Sequence, residues 1–239
     1  EYVCTMKPYV EKGLCEIGIH VHAWNNPPMY DLKGQYDGNP YLIEYPYEVM
    51  REKFAVTYNL IVERLGVKPV SHRSGRWAMD DRYFKLLEEF SIIVDCSYTP
   101  GVSWLSAKGE TVSGGSDYRQ AKKDAHWIGN VLEVPATVRN YGKYFTFGSI
   151  HHMAKAILKG GDIWLRPAMN PLADMKKLCL NVSKEVDNDY LEFMVHSSEL
   201  MPGGSPYFPS EESIERMYKS IEKLFVFVTK LGYNGETLQ

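Results

Sequence analysis

Short apolar runs alternate with amphipathic helical patterns along this chain, and that alternation constrains its fold more than any other feature. EIGIHVH (16–22) reads as a strand. Pro46 opens a long helical pattern, YEVMREKFAVTYNLIVERL, which Gly66 stops. PVSHR (69–73) is the next strand. A helix over DDRYFKLLEEF (80–90) and a β-branched strand, SIIVDCS (91–97), follow. Residues 99–129 lack periodicity and carry a Ser-Gly-Gly run, which predicts an excursion loop. VLEVPATV (131–138) is a strand ending near Pro135. A helix spans about 149–159 and stops at Gly160-Gly161, and DIWLRP (162–167) is a short strand. Asn170-Pro171 supplies the cap and first turn of a helix through LADMKKLCLNVSK. LEFMVHSS (191–198) is the last strand, and Ser210 caps the closing helix over 210–232.

Such alternation builds a parallel sheet. Six strands are too few to close a barrel of the usual size. The helical stretch MKPYVEKG before the first of them would itself be a crossover, and a crossover needs a strand before it. The expectation is one α/β domain over 1–239, with at least one strand upstream of Glu1. A chain of 239 residues with 44% hydrophobic content can bury one sizeable core.

Charge is balanced, with 27 Lys and Arg against 30 Asp and Glu, which argues against nucleic acid or an anionic membrane as the main partner. No apolar run is long enough to span a bilayer. The opening EYVCTMKPYV has neither a basic n-region nor an apolar h-region, so a cytoplasmic address is the expectation. It does not begin with Met and need not include the natural N-terminus. Cys4, Cys15, Cys96 and Cys179 fit neither a zinc knuckle nor a redox pair, and read as reduced thiols.

Three constellations carry chemistry. In EIGIHVH, Ile17, Ile19 and Val21 share one face of the strand, and His20 and His22 the other. Two imidazoles at that spacing, near a strand's C-terminal end, can bind one cation. One such histidine is more often a hydrogen-bonded polar residue, and for two in register the readings stand level. In SHRSGRW, Arg73 and Arg76 follow a strand, where arginine can orient a carboxylate or steady an oxyanion, or make an ordinary surface pair. His196 ends the apolar strand before SSELMPGGSPYFP; a histidine there, opposite the first pair, could act as general acid or be a satisfied core histidine. Asp95 and Glu133 lie inside apolar segments, where carboxylates are usually paired. Trp24, Trp77, Trp104, Trp127 and Trp164 fall near strand ends or in loops, which suits sugar stacking and equally a core or rim. His151 and His152 diverge on a helix and read as no ligand pair.

Taken in order, EIGIHVHAWNNPP, SHRSGRW, VDCSYTPG, WLRPA and MVHSSELMPGGSPYF resemble the polysaccharide deacetylase (NodB-homology, carbohydrate esterase family 4-like) family, in the branch associated with bacterial surface-polysaccharide biosynthesis. The resemblance covers nearly the whole chain. It implies a distorted (β/α)7 barrel and a divalent metal, most often zinc, held by an Asp and two His. The metal would activate water against an N- or O-acetyl group of a saccharide, with an Asp as base and a late His as acid. Carried over, His20 matches the first metal histidine and His196 the catalytic histidine. Arg73 matches the arginine that orients the catalytic carboxylate, and Asp95 resembles the acidic residue of the fourth motif. Trp24, Asn25, Trp77, Arg166 and Tyr207 fall in the same motifs and are expected to line the substrate.

Two departures stand out. The family's second metal histidine lies four residues after the first, where this chain has Trp24, so His22 must take its place. The family's paired aspartates do not occur before His20, so either the third ligand and the base lie upstream of Glu1, as the strand count favours, or the protein has lost them. Two other functions share these residues: a glycoside hydrolase using Asp95 and Glu133, and a non-catalytic carbohydrate-binding barrel.

Overall fold

A computed structural model of the chain describes residues 2–141, 161–186 and 189–238. The helix expected over about 149–159, with His151 and His152, lies outside the described residues. The architecture is α/β. Five α-helices are described: α1 (Tyr2–Glu11), α2 (Tyr47–Leu65), α3 (Asp81–Glu89), α4 (Leu172–Val182) and α5 (Glu211–Lys230). Six short strands accompany them: β1 (Ser71–His72), β2 (Val94–Asp95), β3 (His126–Ile128), β4 (Val131–Glu133), β5 (Val138–Asn140) and β6 (Asp162–Trp164).

Helix boundaries follow local chemistry. α2 ends at Gly66, which takes φ 74° and returns its N–H to the Val62 carbonyl, a conformation glycine adopts without a Cβ clash. Asp80 caps α3 by accepting the Tyr83 N–H, and Ser210 caps α5 through the Ser213 N–H. At α4 the cap differs from expectation. Asn170 turns its side chain back to accept the Trp164 N–H at 2.7 Å, and the helix begins only after Pro171.

The chain gathers into two compact units. The first comprises Glu1–Tyr98, Val102–Pro135 and Glu236–Gln239; the second comprises Thr99–Gly101 and Ala136–Gly235. In the first, strands run in the order β1-β2-β4-β3. β1, β2 and β4 are parallel, as the alternation predicts, and β3 is antiparallel to β4. β3 sits at the end of the stretch expected to be all loop. Only Gly129 and Asn130 separate it from β4, and two residues can join strands only as a hairpin. Its core packs Ile19, Val21, Met50, Phe54, Tyr83, Leu86, Leu87 and Val131.

The second unit holds the antiparallel pair β5–β6 and a core of Ile163, Leu165, Met175, Leu178, Cys179, Val182 and Leu224. Burial drives the Cys179 thiol up to about 12, so it behaves as a small hydrophobe.

All six expected strands are shorter than their sequence patterns, and three depart furthest. EIGIHVH is extended but makes a single parallel bridge, Ile19 to His72. Residues 131–138 split into β4 and β5 in different sheets around Pro135, which has no N–H for a ladder. Residues 191–198 form no ladder among the described residues: Met194 N–H reaches the Leu165 carbonyl, but Glu192 N–H goes to the Thr137 hydroxyl. Neither sheet closes on itself among the described residues. No helix among them is long and apolar enough to cross a membrane.

The Asp80 cap gives a direct check on α3. Asp80→Ala should lower stability by about 1 kcal/mol, read as a reduced urea midpoint at unchanged slope.

Candidate functional site

The first unit carries the histidine pair. Ile19, Val21 and Ala23 are buried in alternation, which leaves His20 and His22 on the other side of the segment. His20 Nδ1 lies 2.6 Å from the Arg73 carbonyl. A carbonyl only accepts, so Nδ1 carries the proton and the Nε2 lone pair is presented. That Nε2 stands 3.0 Å from His22 Nε2, with the two rings edge to face. Protein atoms crowd the His20 ring although part of the residue meets solvent. This desolvation, joined by His22, outweighs the Arg73 hydrogen bond and lowers His20 to about 4. The ring is neutral at pH 7, the state that ligates metals.

A second device holds the turn after His22. Lys53, on α2, is only 1% exposed. Its Nζ donates to the carbonyls of Ala23 at 3.0 Å, Asn26 at 2.6 Å and Pro28 at 2.6 Å, and it lies over the Tyr45 ring. Three acceptors satisfy all three ammonium protons, which makes the buried charge tolerable. Asn26 returns its side-chain N–H to the Lys53 carbonyl. This cradle shapes the loop that presents Trp24, packed on the His22 ring at 4.6 Å, and the exposed Asn25. In sequence Lys53 looked like one more polar residue on a helix; only its burial reveals its role.

The SHRSGRW turn forms the adjacent wall. Arg76 and Trp77 both take positive φ, 58° and 63°, a strained choice for side chains of that size. Several contacts hold them there. Arg76 donates to the carbonyls of Asn39 and Lys108 and lies 4.1 Å over Tyr41. Trp77 stacks on Trp104 at 6.5 Å with 10° between planes, and its carbonyl accepts from the Tyr118 hydroxyl. Arg73 lies 5.5 Å over Trp77. Gly75 brings this turn against the histidine segment: a Cβ there would stand 2.2 Å from the Val21 oxygen and 3.1 Å from His22 Nδ1. The excursion loop is anchored by Glu44, whose carboxylate accepts the N–H groups of Glu110, Thr111 and Val112.

Asp95 and Glu133 are both 0% exposed. The parallel register aligns Ile19 with His72, His72 with Asp95, and Asp95 with Glu133. Side chains paired this way share a face, so the carboxyls lie on the side that Ile19 buries, one residue out of phase with His20. His72 Nδ1 donates to Asp95 at 2.7 Å, its Nε2 meets the Tyr83 hydroxyl at 2.9 Å, and Ser97 donates to the same Asp95 oxygen at 2.7 Å. Glu133 accepts the Tyr98 N–H at 2.9 Å. The remaining oxygens, Asp95 Oδ2 and Glu133 Oε2, are buried with no other partner, and one proton shared between the two carboxyls satisfies both. Burial, then the Asp95 charge, pushes Glu133 well above the ordinary range, so Glu133 keeps that proton. Burial alone would raise Asp95 too, but His72 and the hydrogen bonds hold it below its usual value. Neither carboxyl reaches solvent among the described residues.

The second unit holds Arg166, His196 and Glu199. Arg166 Nη2 lies 2.7 Å from His196 Nδ1 and also donates to Glu199 Oε1. Glu199 Oε1 is 3.2 Å from that same Nδ1, and its Oε2 accepts the His196 backbone N–H at 3.3 Å. Burial would raise Glu199, but Arg166 and His196 hold it below its ordinary value. Arg166 Nε is buried without a hydrogen-bond partner among the described residues. Tyr207 is exposed on the loop that follows. Of the remaining tryptophans, Trp164 is buried and Trp127 is exposed on β3. Sequence reading missed His72, Lys53 and Glu199. Only Glu199 left a local signal, three residues after His196 in a capping-box spacing.

His20 and His22 fit two corners of a tetrahedral metal site. Two Zn–N bonds of about 2.0–2.1 Å at that angle set the nitrogens roughly 3.3 Å apart, close to the 3.0 Å found here. The Arg73 carbonyl on His20 Nδ1 is the outer hydrogen bond that metal-ligating histidines make. Among the described residues, no group of three or more His, Cys, Asp or Glu could hold a metal ion, so the set is incomplete there.

No family model matches the chain. No curated protein matches it either. A solved structure that it resembles is a crystal structure from Mycobacterium smegmatis described provisionally as a polysaccharide deacetylase, with 13% identity and a TM-score of 0.47. The match covers 98% of this chain and 62% of that one, so this chain spans less than two thirds of that protein's length.

Two expectations test this geometry. Because Glu133 is raised in the folded chain, the unfolded chain gives up that proton first as pH rises. Folding is then increasingly penalised above the ordinary Glu value, until Glu133 itself ionises. Glu133→Gln keeps a donor toward Asp95 and an acceptor for Tyr98 but cannot ionise. In urea unfolding between about pH 5 and 8, the variant should gain on wild type as pH rises, by up to about 1.4 kcal/mol per unit. A difference independent of pH would show that Glu133 holds no such proton. Gly75→Ala should cost roughly 1–3 kcal/mol and move the His22 ring resonances, because its Cβ displaces the Val21 carbonyl.

Proposed function

We propose that this chain belongs to a metal-dependent hydrolase that removes an acetyl group from a sugar of a polysaccharide or its precursor, on a distorted (β/α)7 barrel. The observation that supports this reading is the histidine pair: two Nε2 atoms 3.0 Å apart, with His20 held in one tautomer by the Arg73 carbonyl. A bound divalent ion, zinc by this donor set, would supply an activated water and polarise the acetyl carbonyl.

The chain's own residues do the rest. The Arg73 carbonyl keeps the His20 lone pair available. The Arg73 guanidinium is a cation able to steady negative charge on an acetyl oxygen. Trp24, Asn25 and Trp77 offer aromatic faces and an amide suited to a sugar, and Arg166 and Tyr207 are the further binding residues proposed. His196 can hold a proton at Nε2, which a departing amine or alcohol requires. Asp95 serves the site from within the core, by fixing His72.

The glycoside hydrolase reading needs Asp95 and Glu133 beside a substrate, and both are sealed from solvent. Sugar binding without turnover would use the same aromatic faces.

Calorimetric titration with Zn²⁺ or Co²⁺, paired with acetate release from acetylated oligosaccharides, tests the proposal. His20→Ala should weaken metal binding by at least about tenfold and abolish acetate release. Unchanged affinity and turnover in that variant would overturn it. Metal-independent binding of the oligosaccharide without acetate release would favour the binding role.

A further inference from the structure

His196 Nδ1 sits between two groups of opposite hydrogen-bonding character. Arg166 Nη2, at 2.7 Å, can only donate. The Glu199 carboxylate, with Oε1 at 3.2 Å, can only accept. One ring nitrogen cannot serve both at once. While Arg166 donates to it, Nδ1 must be bare, and the ring is the neutral tautomer with its proton on Nε2. When the ring takes a second proton, Nδ1–H must leave Arg166 and turn to Glu199.

From this arrangement we infer that Arg166 and Glu199 form a two-position switch on His196. Arg166 selects the neutral Nε2–H tautomer, and Glu199 receives Nδ1–H when the ring is an imidazolium. Glu199 is thus a positioning residue acting through His196, not one that touches the reacting atoms.

The surroundings suit that task. Glu199 is 3% exposed and Arg166 14%, whereas His196 is 49% exposed. The two partners are fixed inside while the ring edge exchanges protons with water. Glu199 also accepts the His196 backbone N–H, so the carboxylate and the ring it serves are tied through the same short turn. Arg166 bonds the carboxylate as well as the ring, so the switch needs only a shift of Nδ1 between two groups already in contact. Asp95, the acidic residue matched to the fourth motif, lies in the other compact unit and spends its hydrogen bonds on His72 and Ser97.

The role in catalysis rests on the deacetylase reading, in which the imidazolium gives its Nε2 proton to the departing nitrogen or oxygen. That leaves Nδ1–H on Glu199; solvent then returns a proton to Nε2, and loss of the Nδ1 proton to water lets Nδ1 accept from Arg166 again in the neutral Nε2–H tautomer. The switch itself does not rest on that reading and can be measured on the protein alone.

Long-range ¹H–¹⁵N NMR of the uniformly labelled protein across pH provides the test. Wild type should show the neutral His196 ring as the Nε2–H tautomer. In Glu199→Gln, the midpoint at which the ring takes its second proton should fall by about one pH unit. In Arg166→Gln it should rise, and the Nδ1–H tautomer should appear. Opposite shifts from two neighbours are not produced by loosened packing. An Nδ1–H neutral tautomer in wild type, or midpoints that fail to move in opposite directions, would overturn the inference, and the wild-type tautomer decides even if a variant fails to fold. If acetate is released, Glu199→Gln should move the alkaline limb of the kcat profile to lower pH by the same amount with KM unchanged; an unmoved limb would overturn its catalytic part. Absence of turnover in every variant and in wild type would overturn the deacetylase reading on which that part rests, leaving the tautomer result intact.

Discussion

The first unit depends on one row of buried polar side chains. His72, Asp95 and Glu133 stand side by side across β1, β2 and β4, and all three are sealed from water. These strands are only two or three residues long. So few backbone bonds specify register weakly, and a slip by one residue would turn every side chain to the opposite face. Here a slip would also break the His72–Asp95 bond and leave a buried carboxylate without that partner. Unpaired buried charge costs several kcal/mol, more than short ladders can offset. The polar row therefore fixes the register that the backbone leaves loose.

The position of the histidine segment follows from that register. Ile19 bridges His72: the Ile19 N–H donates to the Ser71 carbonyl and the Ile19 carbonyl accepts the Arg73 N–H. The carbonyl of Arg73, the residue after His72, then meets His20 Nδ1. The histidine pair is thus aligned from beneath by Ile19 and His72, both buried. Lys53 and Gly75 complete the frame from the flanks, one by holding three turn carbonyls and the other by leaving room for the Val21 oxygen.

Much of this was legible in the sequence wherever the signal was local. The helices of 47–65 and 81–89 follow from periodicity, the first with its stop at Gly66, and β1, β2 and β4 are parallel as the alternation requires. The two faces of EIGIHVH were also readable from period-two spacing alone, since Ile19 and Val21 are buried. What escaped was non-local. The neighbour of Asp95 is set by register, and no spacing along the chain places His72 on one side of it and Glu133 on the other. Residues 131–138 read as one strand because their apolar pattern is continuous, whereas the missing N–H of Pro135 divides them between two sheets. Extended segments at 16–22 and 191–198 carry strand composition, but composition does not reveal how many of their backbone groups find ladder partners.

The two histidine environments differ in the way their chemistry would require. A metal ligand must stay neutral and keep one lone pair aimed at the ion. A backbone carbonyl achieves this for His20, because it accepts the Nδ1 proton and adds no full charge that would favour an imidazolium. A proton donor must instead pass through the charged form and return. His196 has a donor and an acceptor on the same nitrogen, so each protonation state finds a partner and neither is trapped. A carboxylate alone would hold the charged ring too firmly, and an arginine alone would exclude it. In the proposed reading, the pairing of Arg166 with Glu199 would distinguish a ring that exchanges protons from one that merely packs. That difference in partners, more than the histidines themselves, separates the two roles.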